Sequence, residues 1–282
     1  MHFRVKLVVA ALTASINVIL AGPLYSVDGV FPSRNDFVEN CEIIETGVAN
    51  EALNSKRTGL IQTMYRWPND TVVYNMDSPP FEQSDIDLVE RSLKAIEAVT
   101  CVKFVKRTDE DYFVNLTVSN SNPDSERNEN NFPLLLFHHL KANSGCSSQV
   151  GYQKKFQKGP QQLNLSRQGC LYTGTIIHEF LHTLGFYHSQ SAPNRDDYVT
   201  INWENIQKGK ENNFVKYGAS SVTDFDIEYD LLSIMHYGAF YFSANLEPTI
   251  VPHDSAFKEL IGQRKGLSEK DIARINKMYN CN

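Results

Sequence analysis

Apolar positions along this chain follow two rhythms, and the place where they change marks the part that does chemistry. Ile86, Val89, Leu93, Ile96 and Val99 recur at helical spacing, so one face of the segment is buried, with Ser84 as its cap and Asp85 and Asp87 in its first turn. Short runs rich in β-branched and aromatic residues flank it at 71–74, 102–105 and 113–118. With 161–166 they predict a twisted sheet. Beyond them, residues 171–184 predict a second helix ended by Gly185, and Ser268 with Asp271 caps a third whose Ile272, Ile275 and Met278 pack inward.

The N-terminus has neither rhythm. Arg4 and Lys6 precede an apolar run over 7–21 that closes on small Ala21 and Gly22, the pattern of a secretory signal peptide over residues 1–21. Thr13, Ser15 and Asn17 break the run, which is too short for a good membrane span, so no stable membrane association is expected. Residues 22–57 read as a propeptide ending in the dibasic Lys56-Arg57, where a trypsin-like activating protease would free Thr58. What remains, 58–282, is a single domain of roughly 225 residues, near the upper usual size for one core.

The second predicted helix carries the densest chemistry. His178-Glu179-Phe180-Leu181-His182-Thr183-Leu184-Gly185-Phe186-Tyr187-His188 places three imidazoles and a carboxylate in one short stretch. On a helix, His178 and His182 are four apart and project from one face about 6 Å from each other, with Glu179 beside them. Gly185 takes the left-handed conformation that ends the helix, and the chain turns back to bring His188 to the same ion. Three nitrogens leave a zinc ion with an open position, which is the mark of a catalytic site. Zinc lowers the pKa of a water there from about 15.7 towards about 7, and Glu179 is in reach to act as general base and acid.

Downstream lies Ser233-Ile234-Met235-His236-Tyr237. With the helix it fits the H-E-x-x-H-x-x-G-x-x-H plus Met-turn pattern of the metzincins. Gly185-Phe186-Tyr187-His188, Arg195-Asp196 and the Ser233-x-Met235-His236-Tyr237 segment resemble the astacin family, over about residues 58–281. The resemblance implies an α+β, astacin-like fold of two subdomains. A twisted sheet and helices would lie above the cleft, with a mostly irregular part and a C-terminal helix below. It implies one zinc per subunit on His178, His182 and His188, an apolar floor from Met235, and Tyr237 as an extra ligand that swings away to stabilise the oxyanion. Tyr65 and Trp67 sit at the family's spacing from a new N-terminus. The strand over 161–166 would be the edge lining the cleft, with Leu163 and Leu165 beside the substrate. Arg264 would stand by the primed-side pocket and favour an acidic residue, although as a solvated charge it needs no such role.

Four of the five cysteines, Cys101, Cys146, Cys170 and Cys281, fall inside this domain, and four permit three pairings. The resemblance selects Cys101–Cys281 and Cys146–Cys170, which require an oxidising compartment. Sequons begin at Asn69, Asn115 and Asn164, and a glycan at Asn164 would obstruct the expected cleft edge. Net charge −6 and a sequence pI near 5.8 leave no basic patch for nucleic acid.

Several features depart from the family. Its propeptides block the zinc with the aspartate of a Phe-x-Gly-Asp motif, whereas this chain has Phe37-Val38-Glu39-Asn40, which leaves a nearby acid such as Glu42 or Glu45, or Cys41 as a thiolate, to take that place, unless Cys41 is simply an unpaired cysteine in a discarded segment. Residues 121–143 are an insertion, polar first and then apolar through Phe132 to Leu140. Its adjacent His138 and His139 lack a third ligand at useful spacing. Ser189 replaces the glutamate that anchors the new N-terminus, and Asn194 a common aspartate. The chain thus reads as a secreted zinc metalloendopeptidase made as a zymogen and acting on protein or peptide substrates. The alternative is a catalytically impaired secreted protein that binds peptide or matrix.

Overall fold

The computed structural model describes residues 59–76, 81–119, 145–167, 169–218 and 220–282. The expected signal peptide, the propeptide with Cys41, Glu42 and Glu45, Thr58, and the 121–143 insertion with His138 and His139 lie outside the described residues.

In chain order the elements are β1 (Gly59–Leu60), β2 (Thr71–Asn75), α1 (Gln83–Glu97), β3 (Lys103–Lys106), β4 (Val114–Ser119), β5 (Ser147–Ser148) and β6 (Gln161–Ser166). Then come α2 (Thr173–Leu184), β7 (Val199–Ile201), β8 (Val222–Thr223), β9 (Ile250–Pro252) and α3 (Glu269–Met278). One sheet runs β3, β2, β4, β6, β5, parallel except for β5, which is antiparallel to β6. Parallel neighbours need a crossover, and α1 supplies it between β2 and β3. Alternate residues of the parallel strands, Val72 and Tyr74, Val114 and Leu116, Leu163 and Leu165, enter the core shared with α1 and α2. α1 buries Val89, Leu93 and Ile96, with Ile86 and Val99 half-buried against the same core.

Three expectations need correction. Ser84 is not the cap of α1: Glu82 holds that position in a reciprocal capping box with Asp85, so Ser84 lies within the first turn. The strand at 161–166 is not the sheet edge, because the two-residue β5 pairs outside it, Ser147 with Asn164 and Ser148 with Leu163. Leu163 and Leu165 are each 0% exposed, packed in the core cluster shared with α1 and α2 rather than open to a substrate. A two-residue strand of serines carries no alternating pattern, which is why the sequence does not reveal it.

A second apolar cluster, including Ala192, Val199, Ile201, Phe214, Tyr237, Phe242 and Ile250, holds the part after α2 together. Among the described residues that part is mostly 3-10 turns and irregular chain, with the small β7–β9 and β1–β8 ladders, and it ends in α3. Ser268 and Asp271 cap α3 reciprocally, and Ile275 and Met278 are buried. The cysteines pair as Cys101–Cys281 and Cys146–Cys170.

Candidate active site

The apolar side chains of α2 belong to the first cluster, and every residue of this helix from Gly174 to Leu184 is buried. A helix enclosed on all sides must satisfy its polar groups internally. Nδ1 of His178 faces the carbonyl of Ile234 at 2.8 Å, and Nδ1 of His182 faces that of Phe186 at 2.7 Å. A carbonyl only accepts, so each Nδ1 carries the proton and each Nε2 keeps its lone pair. Those lone pairs converge: Nε2 of His188 lies 3.1 Å from Nε2 of both His178 and His182.

Three nitrogens at about 2.0–2.1 Å from a tetrahedral ion stand about 3.4 Å from one another, so the residues present fit zinc with little adjustment. Among the described residues this is the group of histidines, cysteines and acids arranged to hold a metal. Burial is the main cause that holds the imidazoles neutral. His178 and His188 are well below the ordinary histidine range, with Arg264 and the other imidazoles adding to the effect, and His182 is pushed down to about 4. Neutral imidazoles are what a metal requires.

Gly185 ends α2 with φ 112°, a conformation natural to glycine, and so turns the chain towards His188. The last helical carbonyls would be orphans in a buried setting. Each finds a donor: Leu181 from Phe186 N–H, His182 from Gly151 N–H, Thr183 from Trp67 Nε1–H and Leu184 from the Tyr279 hydroxyl, while Leu60 N–H closes on Gly185. At the other end, a Cβ on Gly174 would lie 1.7 Å from the carbonyl oxygen of Arg264, so glycine there allows segment 262–265 to cross the helix start.

The Met-turn is clamped by the cap of α3. Asp271 accepts from the Ser233 hydroxyl at 2.6 Å and from Ile234 N–H at 2.9 Å, fixing the carbonyl that aims His178. Met235 is buried in the first cluster, and Tyr237 is fully buried in the second with its ring centroid 4.4 Å from that of His188. His236 accepts from the Tyr229 hydroxyl through Nε2 and donates from Nδ1 to the Tyr237 carbonyl. Glu179, the residue after His178 on α2, is fully buried.

Arg264 is buried rather than solvated. It donates to the carbonyls of His236 and Gln263 and stands over the Tyr241 ring. Arg195, also buried, donates to the carbonyls of Gln190 and Phe214 and pairs with Asp196, which binds Lys216, so this loop keeps its ionic scaffold beside Asn194. Ser189 donates its N–H to Met235 and lines a small cavity with Ser233, Asp271 and Arg274.

The sequence pattern points to the histidines, Glu179, Met235 and Tyr237. It does not single out Trp67, Gly151 and Tyr279 as closures of α2. Asp271 reads only as a helix cap; its bond to Ile234 spans 37 residues and has no local signal.

The family model described as Astacin, a peptidase family, matches residues 59–280. Seminal metalloprotease 1 of Drosophila melanogaster is 38% identical over 227 residues, covering 80% of this chain and 82% of that protein. Blastula protease 10 of Paracentrotus lividus is 37% identical over 226 residues, 80% of this chain, but the match spans only 34% of that protein. Among solved structures, high choriolytic enzyme 1, a hatching enzyme zinc-protease from Oryzias latipes, superposes with a TM-score of 0.62 at 34% identity, covering 77% of this chain and 94% of that one. Matched by that family model over residues 59–280 and carrying three histidines that could hold zinc, this chain belongs to the astacin family of zinc metalloendopeptidases.

Proposed function

We propose that this chain is a secreted endopeptidase, made as a zymogen, in which Glu179 moves the proton between the attacking water and the departing amine. The observation that carries the reading is the convergence of His178, His182 and His188 on one point, with Glu179 on the same helix. When bound, zinc supplies Lewis-acid activation of water and of the scissile carbonyl. Glu179 takes the water's proton as base and returns it to the amine nitrogen as acid. Tyr237 turns its hydroxyl from the histidines towards the developing oxyanion and donates to it. Met235 keeps the floor of the site dry and apolar.

An extended substrate lies along β5, whose outer side pairs with no strand among the described residues, and uses its own backbone groups to continue the sheet. Arg264 adds positive charge beside the primed side and favours an acidic residue there. Residues 1–21 direct secretion, and cleavage after Arg57 by a trypsin-like protease removes residues 22–57, in which Glu42, Glu45 or Cys41 occupies the site before activation. Among the described residues no helix is long and apolar enough to cross a membrane.

The test is hydrolysis of a quenched fluorogenic peptide library by the trypsin-treated protein, with and without 1,10-phenanthroline, alongside Glu179→Ala. Chelator-sensitive cleavage that disappears in the variant supports the reading and reports any preference set by Arg264. A processed, zinc-loaded protein that binds peptides without cleaving them would replace it with a binding function.

A further inference from the structure

β5 is too short to be held by its ladder alone, yet it is the last strand of its sheet and packs against α2. Three attachments fix it there. Cys146, immediately before it, is bonded to Cys170 ahead of the helix. Gly151, just beyond it, donates to the carbonyl of the ligand residue His182 at 2.9 Å. Between them the hydroxyls of Ser148 and Thr183 lie 2.9 Å apart, both residues being 0% exposed.

The hydroxyl contact differs from the other two in where it leads. Thr183 Oγ1 lies 3.3 Å from the carbonyl oxygen of Glu179, one turn back along the helix. Thr183 has one hydroxyl proton, which goes to Glu179, so at their contact Ser148 is the donor, its hydroxyl lying also 3.1 Å from the Gln149 carbonyl; the contacts run on from the last strand of the sheet to the main chain of Glu179. Thr183 is a poor choice on helix propensity, since its β-branch and hydroxyl disfavour a helix interior. A buried threonine here is explained by the partner across the gap.

We propose that Ser148 and Thr183 are a positioning pair, setting the distance between the substrate-bearing edge of the sheet and the helix that carries the metal ligands and Glu179. The inference rests on the reading that substrate pairs with β5. Neither residue touches the reacting atoms. Their effect is on register: a substrate held along β5 is presented to Glu179 at a spacing that this contact fixes, and a displacement near 1 Å is enough to cost about 100-fold in rate.

The experiment compares two quenched fluorogenic peptides with one cleavage site, a short one of roughly four residues and an extended one of roughly ten that reaches along the edge at ~3.4 Å per residue. Thr183→Val, which keeps the side-chain shape, is expected to lower kcat on the extended peptide about tenfold with KM little changed, and to leave the short peptide at its normal rate. Thr183→Ser restores the rate. Ser148→Ala combined with Thr183→Val is no worse than either alone. Bound zinc, measured on the same samples, stays at the wild-type ratio. Equal losses on both peptides, additive losses in the double variant, or no loss at all would overturn the pair. A wild-type protein that cleaves both peptides but gains nothing from length would instead refute pairing along β5, and the proposal with it.

Discussion

Nδ1 of His178 donates to the carbonyl of Ile234, and Ile234 in turn donates its N–H to Asp271, so a metal ligand is aimed by a carboxylate at the start of the last helix. Residues that orient ligands in this way typically change metal affinity 10- to 100-fold when removed. Asp271→Ala is therefore expected to raise the zinc dissociation constant by roughly 10- to 100-fold, measured by competition with a fluorescent chelator. Ser268→Ala weakens the same helix cap but leaves Ile234 bonded to Asp271, and should cost about 1 kcal/mol of stability without the affinity loss.

Acid should act on the fold as well as on the metal. Burial pushes both His182 and His236 down to about 4, whereas in the unfolded chain they protonate near 6.5. Unfolding then takes up protons, so stability is complete above about pH 6.5 and falls as pH drops towards about 4. Asp271, raised by burial and by Asp230, acts in the opposite sense, but the buried histidines outnumber it. The melting temperature of the zinc-free protein should be flat from pH 8 to about 6.5 and decline steadily below. A melting temperature rising on acidification would contradict the assignment.

Gly174→Ala tests the crossing of segment 262–265 over α2. The added carbon meets a main-chain oxygen, which cannot rotate aside as a side chain can. The expected cost is about 3 kcal/mol or more, seen as a fall in melting temperature on the order of 10 °C. An unchanged melting temperature would mean that the two segments separate freely.

The three sequons differ in access. Asn69 is exposed, in a turn. Asn164 is buried, with its amide donating to the Gly145 carbonyl, and Asn115 is half-buried within a row of amides from Asn75 to Gln162. Neither of the latter two has room for a sugar in the folded sheet. Expressed through a secretory pathway, the protein should carry its glycan at Asn69 only, so Asn69→Gln alone should remove the mobility shift that glycosidase removes from wild type.

The zinc helix was legible because its chemistry depends on spacing within a few residues, and Gly185 and the capping box of α3 are equally local signals. The strand runs were found to within a residue or two, since β2, β3, β4 and β6 alternate or are enriched in branched residues. What escaped detection depends on partners distant in sequence. β5 is two serines, and only the tertiary fold places it at the edge. The misassignment of Leu163 and Leu165 to a pocket followed directly from that, because alternation tells which residues share a face but not which strand is outermost. Arg264 has two readings in the sequence, a residue beside the primed-side pocket or a solvated charge, and its burial against Tyr241 and the His236 carbonyl removes the second.

The closure of α2 by Leu60, Trp67, Gly151 and Tyr279 bears on how the site comes into being. These donors span most of the domain. Gly185 and Phe186 close the carbonyls of Leu181 and His182 locally, but those of Thr183 and Leu184 take their donors from Trp67 and Tyr279, near the two extremes of the described domain. The zinc helix is thus tied to both ends of the domain, and a chain cut before Tyr279 would keep all three histidines while leaving a buried carbonyl of their helix without its donor.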